Sequence, residues 1–119
     1  MTTKILIVED ETSEAEDIKR VLESLDYEVS HIASYGEVTE EIALNIMPDL
    51  ILIDLQLNGK NEGIEAAARI KELNIPVVYL TTYQNELDIN RIHSTDPYGY
   101  IIKPFEKKRI KIYNRIGTV

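Results

Sequence analysis

The chain has 119 residues and no cysteine, with 44% hydrophobic and 29% charged residues. Those values fit a single soluble domain, residues 1–119, whose core needs neither disulfides nor a thiolate metal site to fold. A formal net charge of −8 argues against direct nucleic-acid binding by this domain. No apolar run approaches the roughly 20 residues of a membrane span, and the N-terminus does not read as a signal peptide, so the expected location is the cytoplasm.

Short apolar runs alternate with helical periodicities along the chain. Ile5-Leu6-Ile7-Val8 predicts a central strand buried on both faces. Ile18, Val21, Leu22 and Leu25 then recur at helical spacing and make one apolar stripe. The segment from Tyr27 to Ile32 mixes polar and apolar residues, which predicts an edge strand with one wetter face. Val38, Ile42 and Ile46 mark a second helix, with Ser34 and Glu37 resembling a capping box and Pro48 ending it. Leu50-Ile51-Leu52-Ile53 is the third strand. A third helix starts near Gly63, uses Ile64, Ala67, Ala68 and Leu73, and stops before Pro76. Val77-Val78-Tyr79-Leu80 follows as a strand, and a short fourth helix runs from about Asn85 to His93. Tyr100-Ile101-Ile102 is the fifth strand. A fifth helix after Pro104 uses Ile110, Ile112, Tyr113 and Ile116, with Lys107, Lys108, Arg109, Lys111 and Arg115 as a solvated basic face. Five βα units in succession predict a parallel sheet covered by helices on both faces.

In such folds ligands bind beyond the carboxyl ends of the strands. The first strand ends in Glu9-Asp10, the third in Asp54, the fourth in Thr81-Thr82 and the fifth in Lys103-Pro104. A parallel sheet gathers these around one crevice. Two unit charges about 4 Å apart repel by roughly 4 kcal/mol at an effective dielectric of about 20. Such a cluster must take up a proton, pair with Lys103 or bind a cation. Hard carboxylate oxygens with no His or Cys beside them favour Mg²⁺ over zinc. His31 and His93 have no paired ligand spacing and read as surface residues. A cation, a carboxylate, a hydroxyl and an ammonium together are the equipment for phosphoryl transfer onto the carboxylate.

Four stretches carry a family resemblance: Ile5-Leu6-Ile7-Val8-Glu9-Asp10-Glu11, Pro48 through Asp54, Pro76 through Thr81, and Gly99-Tyr100-Ile101-Ile102-Lys103-Pro104-Phe105. In this order and spacing they resemble the response-regulator receiver domain of two-component signalling over nearly the whole chain. The resemblance implies a flavodoxin-like (βα)5 fold, with a five-stranded parallel sheet in strand order 2-1-3-4-5. It implies that Asp54 is the phosphoacceptor. Glu9, Asp10, Asp54 and the backbone carbonyl of Gln56 would hold Mg²⁺ (or Mn²⁺), with Asp10 a direct ligand. Thr81 and Lys103 would stabilise the phosphoryl group, and Tyr100 would be the aromatic switch. The Lys103–Pro104 bond is a candidate cis peptide. The implied partners are a sensor histidine kinase or phosphotransfer protein, an output module linked or separate, and a second copy through the face of the fourth helix, fifth strand and fifth helix. The implied protein is not an enzyme in the ordinary sense, although it assists its own phosphorylation and dephosphorylation.

Two departures stand out. After the acceptor the chain reads Leu55-Gln56-Leu57-Asn58-Gly59-Lys60, one residue longer than is common in the family. Thr82 and Tyr83 follow Thr81 where a small residue is usual. With Gln56, these two are expected to control access to the phosphoryl group. Three other functions fit less well. A metal-dependent phosphatase would have a second acid at Gln56. A flavin carrier would have a Ser/Thr/Gly-rich loop where Glu9-Asp10-Glu11 stands. A receiver-like module that is never phosphorylated would have lost the acceptor or the acidic pair.

Overall fold

Five parallel strands lie in the order expected from the resemblance. They are β1 (Lys4–Val8), β2 (Glu28–Ala33), β3 (Leu50–Asp54), β4 (Val77–Thr81) and β5 (Gly99–Ile102), arranged β2-β1-β3-β4-β5. The computed structural model describes residues 2–9, 11–34, 39–54, 67–81, 97–102 and 113–114. Each strand starts or ends within about one residue of its apolar run, because those runs are short, β-branched and flanked by polar or Pro/Gly residues.

Alternation along the strands sorts the core into two layers. Leu6, Val8, Ile51, Ile53, Val77 and Tyr79 point to one face, where Ala43, Ala67 and Ile70 close over them. Ile5, Ile7, Leu52, Val78, Leu80 and Ile101 point to the other, where Ile18 and Leu22 cover them. Helix α1 (Thr12–Ser24) therefore lies on one face, and α2 (Thr39–Ile46) on the opposite one with the helical segment 67–70. Within α1, Ile18 and Leu22 of the predicted stripe are buried, Val21 and Leu25 are half-buried, and Ala15 joins the buried side one turn earlier.

The edge strand β2 carries a β-bulge. Ile5 pairs with Val29 but Leu6 pairs with His31, so Ser30 is the extra residue, and its hydroxyl donates to the Ile5 carbonyl at 3.2 Å. The bulge resets the alternation. Val29 and Ile32, three apart, both pack on the α1 face, while His31 is exposed. The mixed polarity of this segment is thus a register break as well as a wet edge.

Helix α1 ends in a Schellman motif. Asp26 adopts φ 69°, the Tyr27 N–H donates to the Leu22 carbonyl at 3.1 Å, and the Asp26 N–H donates to Glu23 at 3.0 Å. Helix α2 ends at Ile46, just short of Pro48, as the proline predicts, and Met47 between them takes φ 52°. Glu37 and Val38, and with them the expected capping box, lie outside the described residues.

Two expectations need correction. In the third helix the chain is helical at 67–70 and tightens to a 3₁₀ turn at Lys71–Leu73. There Ala67 and Ile70, one helical turn apart, are buried and Ala68 is exposed. Ile70 fills the place assigned to Ala68, because the helix rotates Ala68 away from the sheet. Secondly, Tyr113–Asn114 is not helical. It forms β6, paired antiparallel with β5 through Tyr100↔Tyr113 and Gly99↔Asn114. The outer edge of β5 would otherwise present unpaired N–H and C=O groups, and Tyr is as well suited to a strand as to a helix stripe. The remainder of the expected fifth helix, and all of the fourth, lie outside the described residues. Among the described residues no helix is long and apolar enough to cross a membrane.

Candidate functional site

The register of β1 and β3 brings two carboxylates together. Ile5 pairs with Leu50 and Val8 with Ile53, so one step further Glu9 stands level with Asp54. Both residues share the parity of Ile5, Ile7 and Leu52, so both belong to the face that α1 covers. The Glu9 N–H donates to the Ala33 carbonyl at 2.9 Å, which extends the sheet's hydrogen bonding to the end of β2. Chain direction then turns Glu11 into the start of α1, whose first turn passes back over this edge.

Glu9 and Asp54 are both nearly sealed from solvent, at 2% and 1% exposure. An isolated carboxylate so placed pays a large desolvation penalty, so burial of two at one spot needs a compensating partner. Part of the compensation is local: Glu9 Oε1 accepts the Glu11 N–H at 3.0 Å. Glu9 Oε2 is buried and meets no donor among the described residues. Burial, a hydrogen bond shared with Asp54 and the negative charge of Asp54 push the Glu9 carboxyl from 4.5 up to about 9. That bond needs a proton on one of the pair, since two ionised carboxylates offer only acceptors.

A third carboxylate joins them. Glu14, half-buried in the first turn of α1, places an oxygen within 4.8 Å of oxygens of Glu9 and Asp54. Sequence reasoning missed it. The available signal was an acid in the first helical turn after strand β1, but the helix macrodipole already accounts for such an acid. Its position is legible only once β1, β3 and α1 are known to meet.

The remaining expected residues divide as follows. Thr81 ends β4, one residue past Leu80, the partner of Asp54, so its backbone lies at the same sheet edge. Tyr100 lies on β5 beside Tyr79 and packs against the core layer on the α2 face. Asp10, Gln56, Thr82, Tyr83 and Lys103, with the Lys103–Pro104 bond, lie outside the described residues. His31 is exposed on β2, as expected of a surface histidine, and His93 is outside the described residues.

The site fits a divalent cation on its own chemistry. Three oxygen-only donors converge, and one buried oxygen has no hydrogen-bond donor among the described residues. A hard cation satisfies both conditions at once, and thiolate or imidazole ligands are not part of the cluster.

Comparison with known proteins agrees with this geometry. The model of the response regulator receiver domain family matches residues 5–114. The transcriptional regulatory protein PdtaR of Mycobacterium tuberculosis is 31% identical over 103 residues, covering 86% of this chain and 50% of its own length. The chain therefore spans about half the length of the curated relative it matches. The signal receiver domain of a modulated diguanylate cyclase from Desulfovibrio desulfuricans G20 superposes with a TM-score of 0.79 at 33% identity, over 92% of this chain and 87% of that one. The chemotaxis protein CheY4 of Vibrio cholerae also gives 0.79, at 22% identity and 92% coverage of both chains, which speaks to the fold.

Proposed function

The chain belongs to the response regulator receiver domain family of two-component signalling, and from that premise we propose that Asp54 takes a phosphoryl group from a phosphohistidine on a sensor histidine kinase or phosphotransfer protein. The observation that carries the assignment to Asp54 is its burial at the end of the central strand β3, beside Glu9 at the end of β1. A receiver is a phosphoacceptor, not a classical enzyme, and the chemistry required of it is modest. Phosphoryl transfer calls for in-line positioning and charge neutralisation rather than covalent help.

Bound Mg²⁺ (or Mn²⁺) would supply the positive charge that lets an anionic donor approach an anionic acceptor. Glu9, Asp10, Asp54 and the backbone carbonyl of Gln56 would hold it. An Asp54 carboxylate oxygen attacks phosphorus, the P–O bond forms as the P–N bond of the donor breaks, and the departing imidazole keeps the electron pair and takes a proton. Lys103 neutralises a phosphoryl oxygen and Thr81 donates a hydrogen bond to another. Thr82 and Tyr83, with Gln56, govern the access of water and so the lifetime of the acyl phosphate.

The product adds negative charge at the crevice. The inward movement of Thr81 makes room for Tyr100, and the surface built on the fourth helix, β5 and the C-terminal segment changes with it. This is a shift between two populations, driven by the difference in their affinity for the phosphoryl group. The single domain would thereby signal in the cytoplasm to a partner, a second copy or an output module.

Intact-protein mass spectrometry after incubation with acetyl phosphate or phosphoramidate and Mg²⁺ tests the assignment. The wild-type chain gains one phosphoryl group and Asp54→Ala gains none. A wild-type chain that stays unmodified with several donors would instead support an interaction module that is never phosphorylated.

A further inference from the structure

We propose that Glu14 is a further carboxylate of the cation site, beyond Glu9, Asp10 and Asp54, one that raises its affinity for divalent metal; the inference rests on reading the crevice as that site. Two independent observations support it. Glu14 comes from a different element than Glu9 and Asp54, yet an oxygen of each lies within 4.8 Å of the others. Glu9, only 2% exposed, keeps its Oε2 buried with no donor among the described residues.

A first-turn glutamate that served only the helix macrodipole gains as much from a solvated position. Glu14 is half-buried next to two other acids, where a cation would offset the like-charge repulsion among them. Mg²⁺ keeps several waters and is usually bound by one or two carboxylates. An acid beyond those therefore acts through one of those waters, adding negative charge and fixing the hydration shell. Affinity at oxygen sites rises with ligand charge count and rigidity, and groups behind the direct ligands contribute measurably.

Mn²⁺ binding to the full chain, followed by the loss of the free-ion electron paramagnetic resonance signal, tests the proposal alongside the melting temperature of the metal-free protein. Glu14→Gln keeps the shape and removes the charge. It is expected to weaken Mn²⁺ binding by about 10-fold or more and to raise the metal-free Tm, while Glu16→Gln, on the exposed side of the same helix, leaves binding unchanged. Glu14→Gln with wild-type affinity would overturn the proposal, whatever its effect on Tm. A wild-type chain that binds no Mn²⁺ would overturn this inference together with the cation-site reading beneath it. If Glu9→Gln abolishes binding while Glu14→Gln does not weaken it, the site stands and only the role of Glu14 fails.

Discussion

Glu9 sits at the junction of fold and chemistry. Its backbone follows directly on β1, Oε1 accepts the Glu11 N–H at the start of α1, and Oε2 is buried with no donor among the described residues. Burial first, then the bond to Asp54, hold its carboxyl protonated up to about 9, against an ordinary value of 4.5. Without metal, the folded chain thus retains a proton that the unfolded chain has already lost. Stability then falls as pH rises between about 4.5 and about 9, and this contribution is fully present only below that window. Glu9→Gln carries no such proton, so its denaturant midpoint measured in chelator should lack that decline. Divalent cation replaces the proton, so Mg²⁺ affinity of the wild type should tighten as pH rises, with proton release seen by calorimetry in two buffers of different ionisation enthalpy. The positions of Glu9 and Asp54 were legible because each terminates an apolar run in a βα pattern. That of Glu14 was not, since a helical position three residues past Glu11 reveals nothing of the strand it returns over.

At the scale of elements, single residues at helix ends and bulges decide what periodicity leaves open. Asp26 closes the α1 Schellman motif at φ 69°, a conformation that costs a side chain with a Cβ. Asp26→Gly is expected to stabilise the chain by about 0.5–1 kcal/mol in urea melts. Ser30→Ala removes the hydroxyl that bridges the β2 bulge to Ile5, and is expected to cost about 1 kcal/mol in the same assay. Sequence patterns find β1, β3, β4 and β5 because buried parallel strands are continuous apolar runs. They do not reveal the bulge, whose signature is a three-residue gap between Val29 and Ile32 that looks like irregular polarity. Nor do they reveal β6. The spacing Ile110, Tyr113, Ile116 is helical, and only the open edge of β5 makes the extended pairing of Tyr113 competitive. Cross-strand nuclear Overhauser contacts between Tyr100 and Tyr113, and between Gly99 and Asn114, are the expected mark of β6; helical connectivities through Tyr113 would count against it.

Across the whole molecule, the two core layers serve to hold strand ends in register. Leu6, Val8, Ile51 and Ile53 are all sealed on the α2 face, directly behind the edge where Glu9 and Asp54 emerge. Ile53→Ala leaves a cavity next to Asp54 and is expected to cost about 2–5 kcal/mol, while a chain that still folds keeps the order of the sheet. The same rigidity would let a charge added by the proposed phosphorylation be read on a distant surface, because packed layers exchange between discrete arrangements rather than deform smoothly. Everything proposed about signalling passes through one covalent bond, and that bond can be located. Brief phosphorylation by acetyl phosphate with Mg²⁺, reduction by borohydride and peptide mapping should find the reduced side chain at position 54 alone. Modification at Glu9 or Glu14 instead, or at no acidic residue, would contradict the account.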